Sequence, residues 1–327
     1  MTARGLEARP RACHHDRRKP VCAALLLLLL AEVYEVRGTI VPAVQASVAL
    51  HGATAPFHSS TLSGPDGRFR FRKIEPGTYT LIIFVPGHGE TRKTISVGPS
   101  TADRKGRIEL AVRLEESRMT PDRSAVVSMR QLAIPDKARD EYRKASRSLE
   151  SRDVEAAIAH LKRAVEIAPQ FAAAWNFLGT IAYQTQRYAD AEKYFLRALE
   201  ADSSAYEPVV NLGGVYVTIG RFDEAWKYNL NAVLRRPNDA LAHSQMGMTY
   251  FGLGRYDLAE KYLLEAIRLD PAHFSHPQLT LAEIYLRRGQ SARAADLLED
   301  FLRRHPDNPA RDSIRAMISK LRGSPKS

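Results

Sequence analysis

From Ala138 onward the chain repeats itself, with units starting at Ala138, Ala172, Tyr206, Ala240 and Ser275, a step of 34 residues apart from a last one of 35. A period of that length marks one supersecondary unit stacked on copies of itself. Counting each start as place 1, places 7 and 8 hold Leu178-Gly179, Leu212-Gly213, Met246-Gly247 and Leu281-Ala282, and place 11 holds Tyr216, Tyr250 and Tyr285. Place 20 is Ala157, Ala191, Ala225, Ala259 and Ala294; place 27 is Ala164, Ala198, Ala232 and Ala266, with Phe301 as the exception. Small residues at places 8 and 20 let two helices of a unit meet backbone to backbone, and the bulky residues at places 7, 11 and 24 fill in around them. Pro169, Pro237, Pro271 and Pro306 close the units, with Ser203 in place of one, because proline cannot continue a helix. Each helix pair has an apolar face that only its neighbour covers, so stability comes from stacking.

This pattern, with Trp175 where the family favours tryptophan, resembles the tetratricopeptide repeat (TPR). The resemblance implies five repeats over residues 136–307 in a right-handed superhelix. Residues 308–327 then supply a capping helix and tail, in which Ile314, Met317, Ile318 and Leu321 share one side. It also implies that the first helices (A) of the pairs line a concave groove. The candidate peptide-contacting residues are Tyr142, Asn176, Phe177, Tyr183, Asn211, Gln245, Met248, Phe251, Leu279 and Glu283, beside Val217, Thr280 and Leu286. These places lack the Lys and Arg of the family's carboxylate clamp. The amides suit the backbone of an extended peptide and the aromatics suit its side chains, so the expected ligand is a neutral, extended peptide.

Ahead of the repeats, residues 34–115 change to a period of two, as in Val44, Ala46, Val48, Leu50 and in Ile108, Leu110, Val112, Leu114. That alternation predicts half-buried strands. Gly64-Pro65-Asp66-Gly67, Pro76-Gly77 and Pro86-Gly87 supply turns between them. Val36-Arg37-Gly38-Thr39-Ile40, Gly64-x-Asp66-Gly67-Arg68-Phe69 and Pro76-Gly77-Thr78-Tyr79-Thr80-Leu81, followed by Gly87, together resemble the carboxypeptidase regulatory-like, transthyretin-related domain. The resemblance implies a seven-stranded prealbumin-like sandwich that packs or adheres and is not an enzyme. Arg68, Arg70 and Arg72 alternate with Phe69 and Phe71 as the wet face of one strand. The fold class expected is therefore a small all-β sandwich followed by an all-α superhelix. Residues 116–135, with Pro121 and Pro135, read as a linker in which Ser124 to Leu132 has some strand character.

Residues 1–33 have the layout of a signal peptide: six basic side chains within the first 19 residues, then an apolar block from Val21 to Ala31. That block is too short to span a bilayer, so no stable transmembrane span is expected after processing. Both cysteines, Cys13 and Cys22, fall within residues 1–33. The expected location is the periplasm or the cell exterior. Residues 1–20 hold six basic and two acidic side chains, four of the eleven net positive charges. The rest is scattered without a basic-aromatic face, which argues against nucleic acid.

No His-Glu-x-x-His, Gly-x-Ser-x-Gly or phosphate-loop motif is present, and His273 and His276 lie in a loop between repeats. The sequence therefore reads as a non-enzyme with no catalytic residue, cofactor or metal site. Two functions compete: an exported adaptor that holds a protein or peptide in the TPR groove, and an envelope protein that binds glycan or polymer through the sandwich, with the repeats as an assembly arm.

Overall fold

The computed structural model describes residues 32–86, 89–114 and 133–323. The signal-like segment up to Ala31, both cysteines, Gly87 and the stretch from Ser124 to Leu132 lie outside these residues.

Seven strands form two sheets: β1 (Tyr34–Val41), β2 (Ser47–Gly52), β3 (His58–Leu62), β4 (Arg68–Ile74), β5 (Gly77–Val85), β6 (Gly89–Val97) and β7 (Arg107–Arg113). One sheet has the order β4-β1-β7, with β1 and β7 parallel; the other has the order β3-β2-β5-β6. Alternate residues of both, among them Val36, Ile40, Leu50, Phe69, Phe71, Leu81, Ile83 and Val112, close a single core between the sheets. Gly38 is needed on that inner side, because a Cβ there would lie 2.1 Å from Cζ of Phe69.

Eleven helices follow among the described residues: α1 (Asp136–Glu150), α2 (Val154–Ile167), α3 (Ala172–Gln184), α4 (Tyr188–Ala201), α5 (Tyr206–Thr218), α6 (Phe222–Arg235), α7 (Ala240–Gly252), α8 (Tyr256–Leu269), α9 (Pro277–Arg287), α10 (Ser291–Arg304) and α11 (Arg311–Gly323). All five alanines at place 20 are fully buried. A Cβ on Gly179 would lie 2.5 Å from the Phe195 ring, and one on Gly247 would lie 2.6 Å from Leu263, so place 8 is small because place 24 sits on it. At place 27 the exceptional Phe301 is fully buried, with the rings of His276 and His305 against it at 5.0 and 4.8 Å. In α11, Ile314, Ile318 and Leu321 pack on the last repeat, whereas Met317 is exposed.

The spine between repeats is apolar where place 24 of one unit meets place 10 of the next: Leu161 with Ile181, Phe195 with Val215, Leu263 with Ile284. At the third junction the pair is Asn229 and Thr249, both with no exposed surface. Asn229 Nδ2 donates to Thr249 Oγ1 at 2.9 Å, while its Oδ1 is buried without a partner.

Sandwich and repeats form a single compact unit. The β3-β2-β5-β6 sheet turns its outer face to the A helices. Ser59 Oγ donates to Glu150, the His58 ring packs 5.9 Å from Phe177, and Gln184 Nε2 donates to the Gly52 carbonyl at 2.7 Å. Farther along, Arg92 donates to Glu207 at 3.1 Å, the Thr94 amide to Asp270 at 3.0 Å and the Ser100 amide to Asp307 at 3.2 Å. The sandwich thus touches the superhelix from its first repeat to the turn before α11.

Place 15, the turn between the two helices of a repeat, is left-handed in every unit, with φ between 60° and 76°. Gly220, Gly254 and Gly289 adopt this freely, but Arg152 and Gln186 occupy it in the first two repeats, where a side chain is strained. Arg152 has a use for its side chain: it donates to Tyr79 Oη at 3.1 Å, pairs with Glu75 at 3.0 Å and lies 5.0 Å from the centre of the Phe57 ring.

His51 and His58 stack edge to face 4.5 Å apart beneath the repeats. Burial, with His58 and Arg92 adding repulsion, pushes His51 down to about 3; burial also lowers His58 against the pull of Glu150.

Two outcomes follow from this packing. The double substitution Asn229→Leu with Thr249→Ile gives the third junction the chemistry of its neighbours. It should stabilise the chain by about 1 kcal/mol, read as a melting temperature about 2–4 °C higher. An unfolded histidine takes up its proton near 6.5, but the folded chain keeps His51 neutral to far lower pH. Stability is therefore full above that value and falls as pH drops from about 6.5 toward 3; melting curves at pH 7 and pH 4.5 should show a smaller acid loss in His51→Gln than in the parent.

Candidate functional site

Between the sandwich and the repeats lies a cavity of about 1640 Å³. Its floor comes from α3, α5 and α7, whose place-6 and neighbouring side chains project from one face because 34-residue units repeat the helix phase. Its roof comes from β5, β6, the end of β7 and the loop after β2.

Asn176, Tyr183, Asn211, Gln245 and Met248 line this cavity. Asn211 Nδ2 donates to Asn176 Oδ1 at 3.0 Å, and Tyr183 Oη meets Thr218 Oγ1 at 2.9 Å. Gln245 is only 6% exposed, and its Oε1 is buried without a hydrogen bond. Its Nε2 lies over Gly214, where a Cβ would come within 2.5 Å. An acceptor held in that condition costs stability until a donor reaches it. Thr249, below it, donates its hydroxyl to the Gln245 backbone carbonyl at 2.8 Å.

The structure does not bring the other five candidates into the cavity. Tyr142 and Phe177 pack on each other and on Phe171 and His58 under the sandwich; burial pushes the Tyr142 hydroxyl up to about 12. Phe251 packs on Tyr256 beneath the Arg287 guanidinium, Glu283 pairs with Arg287 at 2.6 Å, and Leu279 belongs to the last core cluster.

The cavity also holds charge that the A-helix places alone did not reveal. Arg235, Arg236 and Arg268, at the ends of B helices, line it with Arg92, Lys93 and Arg113 of the sandwich, against Glu90, Glu207, Asp239 and Asp270. Arg92 is flanked by Glu90 and Glu207, and Arg236 reaches Glu207 at 3.1 Å. Lys93 and Arg113 make no ion pair among the described residues. A reading confined to helix faces misses all six cations; only the fold of the second domain onto the groove assembles them.

His273 Nδ1 bonds Ser275 Oγ at 2.7 Å, and Ser275 Oγ bonds the buried Ser244 at 2.6 Å, which ties the loop before α9 to α7. Among the described residues, no group of three or more His, Cys, Asp or Glu is placed to hold a metal, and no helix is long and apolar enough to cross a membrane.

Family comparisons agree with this architecture. The carboxypeptidase regulatory-like domain matches residues 35–111, and tetratricopeptide-repeat families match residues 142–206, 240–273 and 278–308. No curated protein matches the chain by sequence. Among solved structures, the type IV pilus biogenesis factor PilW is 22% identical with a TM-score of 0.51, over 57% of this chain and 86% of that one. MamA from Desulfovibrio magneticus RS-1 is 20% identical with a TM-score of 0.48, over 54% and 99%. A tetratricopeptide repeat protein from Parabacteroides merdae is 18% identical with a TM-score of 0.48, over 58% and 75%. At 22% identity the likeness to PilW speaks to the fold alone. The chain is a tetratricopeptide-repeat protein that carries an N-terminal carboxypeptidase regulatory-like domain.

Proposed function

We propose that this chain is a non-enzymatic scaffold, exported to the cell envelope, that holds an extended segment of a partner protein between the sandwich and the TPR groove. The observation that carries the reading is Gln245, a buried carbonyl with no donor, set in the wall of a cavity of about 1640 Å³. That volume exceeds the roughly 300–1,000 Å³ of small-molecule pockets, which favours a length of polymer chain. Peptide N–H groups are the donors such a chain supplies at regular intervals. The Asn176–Asn211 pair keeps amide capacity beyond its one mutual bond, and Tyr183 and Met248 give apolar contact.

Lys93 and Arg113 change the expected ligand from a neutral peptide to one with an acidic side chain or terminal carboxylate. The export component rests on the basic and apolar layout of residues 1–33.

Peptides selected from a displayed random library on the full chain provide the probe, with affinity measured by fluorescence anisotropy. Gln245→Leu removes an acceptor that bonds nothing in the free protein. Its melting temperature should therefore hold or rise while peptide affinity drops about tenfold, the equivalent of one hydrogen bond to a buried partner. Lys93→Gln should weaken acidic peptides more than their amidated forms. Unchanged affinity in both variants would place peptide binding outside this cavity.

A further inference from the structure

The β4-β1-β7 sheet turns its outer face away from the repeats, and cations dominate that face. Alternation along β4 sends Phe69 and Phe71 into the core and Arg68, Arg70 and Arg72 outward. At Lys73 the alternation breaks: the register against β1 shifts between Tyr34 and Val36, and Lys73 takes a φ of 57°, so that it joins Arg72 on the exposed side. A lysine in the left-handed region is strained, and here a bulge that re-aims a side chain adds one more cation to the face.

The strands compound the excess. Arg37 of β1 stands directly across from Arg70 of β4, a like-charge pair that weakens the sheet unless an anion offsets it. Among the described residues, the acid lining the hollow of about 300 Å³ is Glu35, which serves Arg37 at 2.8 Å, Arg70 at 3.5 Å and Arg72 at 3.8 Å; outside the hollow Glu109 reaches Arg37 at 4.0 Å and Asp66 pairs with Arg68 at 3.6 Å. Glu35 and Glu109 together cannot neutralise the three guanidiniums of Arg37, Arg70 and Arg72. Arg37 Nε is buried without a hydrogen-bond partner, and Lys73 and Lys105 on the rim make no ion pair among the described residues.

We propose that this face binds a linear anionic polysaccharide, a chain of carboxylate-bearing sugars laid along β4. Alternate strand residues are spaced about 7 Å apart, so Arg68, Arg70 and Arg72 offer a straight row of roughly 14 Å. Guanidinium forks match carboxylates in a bidentate way, which suits a ligand whose acids recur along a line. Among the described residues the face lacks exposed aromatic side chains, and its exposed large apolar residues are Val33, just before β1, and Val41 at its end. A bilayer surface is held by apolar anchors, and single-stranded nucleic acid by stacking aromatics; neither has its contacts here.

The test uses the full chain in affinity electrophoresis through gels containing polygalacturonate, with dextran as the neutral control. Polygalacturonate should retard the protein, less so as salt rises, and dextran should not. Combining Arg70→Gln, Arg72→Gln and Lys73→Gln, all exposed, should weaken retention about tenfold or more at an unchanged melting temperature. Arg197→Gln, an exposed cation on α4, should leave retention as it was. Full retention in the triple variant overturns the proposal, as does binding to phosphatidylglycerol vesicles or oligothymidylate in preference to polygalacturonate.

Discussion

The docking of the sandwich on the A helices is the contact on which the cavity depends, since about a third of its wall belongs to another fold. Two crossings anchor it. The amide of Thr94, 4% exposed, donates to Asp270, 8% exposed, and Arg92 reaches Glu207 while Arg236 holds the same carboxylate from the helical side. Thr94 lies on β6, the edge of its sheet, whose outward amides would otherwise await a partner strand. The superhelix closes that edge with a side chain, so docking satisfies a group the sandwich alone leaves open. A carboxylate that accepts a backbone amide in a dry interface is worth more than a surface ion pair, because removing it leaves a buried donor unmet.

Both folds were legible because their signals are local. Places 8 and 20 announce helix contact within one unit, and Phe69 and Phe71 announce a core between arginines, all inside a few dozen residues. The docking was not legible, because its bonds join residues far apart in the chain, 115 positions for Arg92 and Glu207 and 176 for Thr94 and Asp270. For the same reason Tyr142 and Phe177, correctly placed on A helices, proved to be covered, and the cations of the cavity went unnoticed. One signal was available. Arg152 and Gln186 stand where the later repeats have Gly220, Gly254 and Gly289, and residues that accept a left-handed backbone without being glycine mark a side chain with a task. Arg152 grips the sandwich, and Gln186 lines the cavity.

The interruption of the apolar spine at Asn229 and Thr249 fits the same geometry. Thr249 donates upward to the Gln245 backbone carbonyl and accepts from Asn229 below, so a polar thread runs from the interior of the third junction to the cavity wall. Its two open acceptors, Asn229 Oδ1 and Gln245 Oε1, make this junction less stable than its apolar neighbours. Stability is given up next to the cavity and retained elsewhere in the stack, as the proposed binding role requires.

The two faces of the sandwich then have different physical tasks set by one strand rule. Because successive side chains alternate, the inner residues of both sheets are fixed by the common core, and each outer face is free to take its own chemistry. The β3-β2-β5-β6 face carries histidines, threonine and a salt-bridged arginine that fit the groove; the β4-β1-β7 face carries guanidiniums that repel one another. If the sandwich served only to roof the cavity, its far side would gain nothing from opposing Arg37 to Arg70, nor from a strained bulge at Lys73. The repulsion is tolerable for an isolated domain in salt and becomes useful when an acidic chain lies across it. On the two proposals, partner segment and polymer would engage opposite faces of the sandwich, so that one would leave the other open.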